Sequence, residues 1–94
     1  MHDDEFEWDD TKAVENYAKH GISFEDARRV FDDPYAVDGV DDSETYAEER
    51  FRTIGMVRGL LLFVVYAERG ARVRLISARR ATRYEQDDYY QQDL

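Results

Sequence analysis

Residues 50–80 read RFRTIGMVRGLLLFVVYAERGARVRLISARR, and the spacing of apolar residues and glycines in this stretch decides the fold. From Arg50 to Val57 the side chains alternate, with Phe51, Thr53 and Gly55 on one side and Arg52, Ile54 and Met56 on the other. That is the period-two pattern of a half-buried strand. Arg58-Gly59 makes a tight turn, and Leu60 to Ala67 is apolar on both faces, which predicts a central strand covered on both sides. Arg69-Gly70 marks the next turn. Arg72 to Arg80 then alternates again, with Val73 and Leu75 facing one way and Arg72 and Arg74 the other. Three antiparallel strands joined by two short turns are expected.

Two short helices are expected ahead of this meander. Phe6-Glu7-Trp8 alternates and reads as a short edge strand. Asp9 or Asp10 can cap a helix over about Thr11 to His20, with Ala13, Tyr17 and His20 on its inward face and Val14 and Ala18 beside them. Lys19 and His20 suit the negative end of that helix, and Gly21 suits the left-handed residue after it. Ser23 and Asp26 form a variant capping box for a second helix that turns Phe24, Ala27, Val30 and Phe31 inward. Asp32-Asp33-Pro34 ends it. Pro34 to Glu49 is acidic and irregular, with a short strand at Tyr35 to Val37, and Thr82 with Glu85 opens a last helix to about Gln91. The expected fold class is α+β: one domain over residues 1–94, two N-terminal helices, an antiparallel sheet of three to four strands and a C-terminal helix. The helices should pack on one face of the sheet.

Charge is divided unevenly along the chain. Residues 50–83 hold nine arginines and one acid, Glu68, a local net charge of +8 within a chain of net charge −9. Residues 1–49 carry −13 and residues 84–94 carry −4. Screening confines charge effects to about 10 Å at ordinary salt, so one arginine-rich sheet face can still bind phosphate in an acidic protein. The absence of cysteine excludes disulfides, thiolate metal sites and a cysteine nucleophile. The neighbouring acid pairs come without a histidine cluster, so no metal site is expected, and no cofactor motif is present. The longest apolar run is far short of the roughly 20 residues that cross a bilayer, and no signal peptide is apparent, so a soluble cytoplasmic protein without membrane contact is expected. Thirteen aspartates and nine glutamates against only two lysines fit a salt-rich cytoplasm as well as a basic partner.

The segment from Arg72 to Arg83 is the main candidate site. A strand with arginines on its open face, leading into a helix N-terminus, gathers charge and backbone N–H groups that suit phosphate. The same arginines would also serve as a solvated face paired with the acidic half of the chain. His20 is either a general acid or base or a plain helix-end cation, and Lys19 is either a phosphate contact or an ordinary terminal lysine. Glu68 is either a general base or a structural partner of Arg69 or Arg72. Tyr66 and Tyr84 have rings able to stack on bases, although Tyr66, on the central strand, also suits the core.

Taken together, Phe6-Glu7-Trp8-Asp9, Lys19-His20-Gly21-Ile22-Ser23-Phe24-Glu25-Asp26-Ala27 and Val30-Phe31-Asp32-Asp33-Pro34 resemble the BrnT family, as do Glu48-Glu49-Arg50-Phe51, Ile54-Gly55 and Ile76-Ser77-Ala78-Arg79-Arg80-Ala81. The resemblance implies a RelE-like fold and a ribonuclease toxin of a type II toxin–antitoxin module that cleaves RNA without metal and inhibits translation and growth. It also implies neutralisation by a BrnA-like antitoxin that itself binds operator DNA. Carried over residue by residue, it makes Arg79, Arg80, His20 and Lys19 the catalytic candidates. Arg50 matches the family's Glu-Arg-Phe, and with Arg52, Arg72, Arg74, Arg83 and Tyr84 it forms the expected RNA-contacting set. A binding module that keeps the fold and the arginines without catalysis is the alternative. The acidic C-terminal helix departs from relatives that continue with basic residues.

Overall fold

Both tight turns of the meander form, and each has a backbone reason. In the computed structural model, which describes residues 1–42 and 48–92, strand β3 (Phe51–Val57) pairs antiparallel with β4 (Leu60–Arg69). The connection is the two-residue turn Arg58-Gly59, with φ of +50° and +82°. Two consecutive positive φ values define a type I′ turn, whose twist matches that of the flanking strands. The second turn falls one residue later than expected, at Gly70-Ala71, because Arg69 still pairs with Arg72 at the start of β5 (Arg72–Arg80). Gly70, at φ +59°, supplies its left-handed position.

The sheet has five strands, more than the three or four expected, and it is mixed, where antiparallel pairing throughout was expected. Its order is β1-β5-β4-β3-β2, in which β1 is Phe6–Glu7 and β2 is Val37–Val40. β1 runs parallel to β5, with Phe6 opposite Val73 and Glu7 opposite Arg74. The chain returns to the β5 edge through its helices and through β2 on the far edge, so the direction of β1 follows from topology that local alternation does not encode. β2 lies two to three residues beyond the expected Tyr35–Val37, because Asp33 holds the preceding turn. The part of the acidic stretch at 43–47 lies outside the described residues.

Helix α1 (Asp10–His20) is capped by Asp9, whose side chain accepts from the Lys12 amide, and it ends at Gly21 with φ +72°. The second helix is one α-turn, α2 (Phe24–Ala27), capped by Ser23 and continuing as a 3-10 helix over Arg28–Asp32. Phe24, Ala27 and Val30 are fully buried on one sheet face with Trp8, Leu62, Val64 and Leu75. Val30 lies so close to β3 that a Cβ on Gly55 would stand 3.0 Å from the Val30 Cβ and 3.2 Å from its carbonyl oxygen. Phe31 packs edge-on against Tyr66, which is buried here as a core residue.

Two expectations about the helices are corrected. Helix α3 (Arg83–Gln91) carries the expected Thr82–Glu85 capping box, but it packs on the other face of the sheet, where Tyr89 joins Ile54, Leu61 and Ala81. The sheet is therefore covered on both sides, which is why β4 is apolar on both faces. On α1, Tyr17 and Val14 are exposed at 60% and 70%, and the inward residues are Ala13, Asn16 and His20. The difference is one position of helical phase, set by Asn16, which the sheet edge binds.

Beyond the short edge strands β1 and β2, side chains take up the exposed backbone of β5 and β3. On β5 the Asn16 amide donates to the Ala78 carbonyl at 2.9 Å and accepts from the Ala78 N–H at 3.0 Å, and it also donates to the Ile22 carbonyl. On β3 the Met56 N–H, just past the end of β2, donates to the Asp33 carboxylate at 2.8 Å. Asp33 also accepts from the Tyr35 amide and the Tyr89 hydroxyl, tying the loop to α3. Unpaired strand edges invite association with other chains, and these two side chains stand in for missing strands.

Candidate nucleic-acid site

The geometry of the site is set by a β-bulge. Register across β4 and β5 shifts between the Val65–Ser77 and Tyr66–Leu75 pairs, leaving Ile76 as an extra residue. Strict alternation from Arg72 and Arg74 would place Arg80 on their face and Arg79 on the core side. The bulge reverses this, so Arg79 shares the face of Phe63 and Arg80 that of Leu62. The two consecutive arginines are thereby split.

Arg79 lies in an open cleft of ≈ 570 Å³ between the sheet and the start of α3. Arg50, Arg52 and Arg79 bring the cations, Ser77 a hydroxyl, and Phe63, Val65 and Ile76 an apolar floor. Val40, Asp41, Asp42, Glu85 and Asp88 complete the lining. The Arg79 guanidinium sits 4.2 Å over the Phe63 ring and makes a two-pronged ion pair with Glu85, at 2.7 and 2.9 Å. The Glu85 hydrogen bond raises the Arg79 pKa above its already high value. Burial pushes the Glu85 carboxyl up, but Arg79 and the Thr82 amide outweigh it and hold the group below the usual carboxylate range. Arg52 stands opposite Gly39 in the β2–β3 ladder, and a Cβ there would meet its guanidinium at 3.1 Å. The missing side chain at Gly39 gives Arg52 its place.

A second, smaller cleft of ≈ 220 Å³ adjoins the first. It is lined by Lys12, Glu15, Asn16, Lys19 and His20 from α1, and by Ile76 and Ser77, which also line the arginine cleft. The bulge residues Ile76 and Ser77 thus line both clefts, with His20 and Lys19 in the smaller one and Arg79, Arg52 and Arg50 in the larger.

The remaining candidates lie elsewhere. Arg80 lines a small cleft with Gly59, Leu60, Gln86 and Tyr90. Arg72 donates to the Asp3 carbonyl at 2.7 Å, and Arg74 is held by Glu7 at 2.7 Å where β1 meets β5. Arg83 is highly exposed, 3.8 Å from Asp87, and Tyr84 is 86% exposed at the start of α3. Glu68 is exposed at the end of β4; Arg69 is held instead by Glu48, at 2.9 Å. The reading of arginines paired with the acidic half therefore describes Arg58, Arg69 and Arg74, whereas Arg79 pairs with Glu85 of the C-terminal helix.

Sequence reasoning missed Asn16, Ser77 and Glu85. Ser77 was visible inside the quoted Ile76–Ala81 motif, whereas Glu85 was read only as a helix cap. Asn16 had a weak signal: a polar residue spaced three from Ala13 and four from His20, on the stripe those two define. Among the described residues, no group of three or more His, Asp or Glu side chains comes together to hold a metal ion, and no helix is long and apolar enough to cross a membrane.

The fold is an α+β domain whose two adjoining clefts bring together arginines, lysines and a hydroxyl, donors that suit a phosphate, interspersed with carboxylates. The chain belongs to the BrnT family, the ribonuclease toxins of type II toxin–antitoxin systems, whose family model matches residues 8–85. Membership implies an RNA target and an antitoxin protein as partner. No curated protein matches the chain.

Proposed function

We propose that this chain is a metal-independent endoribonuclease that cleaves RNA in the groove made by the two adjoining clefts, arrests translation and growth, and is silenced by a BrnA-like antitoxin that itself binds operator DNA. The observation that carries the reading is the bulge at Ile76, which turns Arg79 into the larger cleft and leaves Ser77 lining both that cleft and the adjoining one of His20 and Lys19. The architecture fits a RelE-like toxin.

In this chemistry the 2′-hydroxyl oxygen of a nucleotide bonds to its own 3′-phosphorus while the bond to the next 5′-oxygen breaks. The 2′-proton goes to a base and the departing 5′-oxygen takes a proton, leaving a 2′,3′-cyclic phosphate and a 5′-hydroxyl. Arg79 and Arg52 suit the charge that grows on the phosphate oxygens, since guanidinium forks match that geometry. Ser77 offers a further donor to the same phosphate. His20 is the side chain in the groove best suited to proton transfer, and Lys19 and Lys12 would hold the strand on the α1 side. Glu85 occupies Arg79 as a phosphate would, so RNA binding exchanges one anion for another.

Expression in a growing host tests this reading. Growth arrest by the native chain, lost in Arg79→Ala and kept in Arg80→Ala, supports the groove as drawn. Arrest that survives Arg79→Ala, or no arrest by the native chain, removes it.

A further inference from the structure

A second groove, of ≈ 360 Å³, lies on the side of α1 away from the RNA path. Its floor is Trp8 and Phe24, both nearly inaccessible, and its wall is the stripe Ala13, Val14 and Tyr17. Val14 and Tyr17 are two of the most exposed large apolar side chains among the described residues, and they stand three apart on one helix, beside each other on its surface. Around them Trp8 and Phe24 are buried and Ala13 is half-buried, whereas Val14 and Tyr17 face outward. Exposed apolar surface next to a preformed hollow marks a place where another chain packs.

Charge narrows the occupant. Among the residues lining the groove the only charged ones are the carboxylates of Asp10 and Glu25, and residues 1–49 as a whole carry −13. A fitting partner presents apolar residues at helical spacing with arginine or lysine beside them, which is the helix-in-groove mode of recognition. α1 also separates this groove from the cleft of His20 and Lys19. A helix is only about 10–12 Å across, so a segment seated on Val14 and Tyr17 can continue over the RNA path.

We infer that the Trp8–Phe24–Tyr17 groove is the docking site of the antitoxin, through an amphipathic, basic-flanked segment. The inference rests on the toxin reading proposed above and adds where and by what chemistry neutralisation begins.

The test uses the full chain, the antitoxin encoded in the same module, and the double substitution Val14→Glu with Tyr17→Glu. Both positions are exposed, so circular dichroism should report an unchanged fold, and Tyr17→Ala alone serves as a milder variant. Binding is read by calorimetry, which does not depend on ribonuclease activity. The expected result is antitoxin affinity at least about tenfold weaker for the double variant, with growth arrest intact and no longer rescued by the antitoxin. Unchanged affinity in both variants would overturn the inference. So would light scattering showing that the chain alone forms a dimer which the substitutions split, since a second copy would then cover the groove. A native chain that binds antitoxin through this groove but never cleaves RNA would refute the ribonuclease reading and leave the docking site standing.

Discussion

The side-chain amide of Asn16 grips both backbone groups of Ala78, donating at 2.9 Å and accepting at 3.0 Å, and so fastens α1 to the strand that carries the bulge. Asn16 is buried. Asn16→Ala leaves the Ala78 N–H and the carbonyls of Ala78 and Ile22 without a partner. An unsatisfied buried polar group costs about 1–3 kcal/mol, so a loss of about 3 kcal/mol in total is expected. For a domain of this size that corresponds to a Tm about 15 °C lower, checked by thermal denaturation. Asn16→Asp should not rescue it, because a carboxylate cannot donate to the two carbonyls.

Glu85→Gln separates capping from charge. Glutamine can still accept from the Thr82 side of the capping box, so Tm should fall by only a few degrees. The ion pair with Arg79 is lost and the cleft loses one negative charge. Affinity for a short single-stranded RNA should then rise about threefold to tenfold, measured by fluorescence anisotropy at fixed salt. Weaker binding would show that Glu85 is needed to aim Arg79.

Two coupled groups, Asp33 and Tyr89, make stability depend on pH at both ends. Burial pushes the Asp33 carboxyl up, but the Met56 and Tyr35 amides and the Tyr89 hydroxyl win and leave it below its ordinary value. A depressed carboxylate stabilises the fold above its unfolded pKa of about 4, and that contribution disappears as pH falls through the folded value. On the alkaline side, burial and the Asp33 charge push the Tyr89 hydroxyl up to about 12. A raised tyrosine stabilises the fold below its unfolded pKa of about 10, and stability declines as pH climbs from there toward the folded value. Denaturant melts of Asp33→Asn should show a flatter acid limb and those of Tyr89→Phe a flatter alkaline one.

Arg58 occupies a left-handed position at φ +50° in the β3–β4 turn. Its contact with Asp26, at 3.6 Å between exposed side chains, contributes little. Asn-Gly is the preferred pair for a type I′ turn, so Arg58→Asn should stabilise the domain by about 0.5–1 kcal/mol. A Tm higher by about 3–5 °C checks it. An unchanged or lower Tm would mean that Arg58 is held by more than the turn.

Much of the fold was legible because it is encoded locally. The alternation of β3 and β5, the apolar run of β4, the glycines and the Ser23 and Thr82 caps each depend on a few adjacent residues. What stayed hidden depends on contacts distant in sequence. The parallel pairing of β1 with β5, the face chosen by α3 and the phase of α1 are set by tertiary packing. The bulge had the largest consequence for the site: one unpaired residue, Ile76, exchanges the directions of Arg79 and Arg80, and periodicity alone gives the opposite answer. The arginine-rich segment was visible as charge, but the carboxylates that hold Arg69, Arg74 and Arg79 come from Glu48, Glu7 and Glu85.

The measurement that bears most directly on the account is cleavage of a defined RNA by the purified, partner-free chain in EDTA, at low and multimolar KCl. Arg79→Ala and Arg80→Ala run beside it, with product ends read by mass spectrometry. The account predicts 2′,3′-cyclic phosphate ends from the native chain and from Arg80→Ala, and a rate at least about a hundredfold lower for Arg79→Ala. A salt optimum in the multimolar range would tie the excess of aspartate to a saline setting. Intact RNA at every salt, with the chain shown to be folded, or equal cleavage by Arg79→Ala, would contradict it.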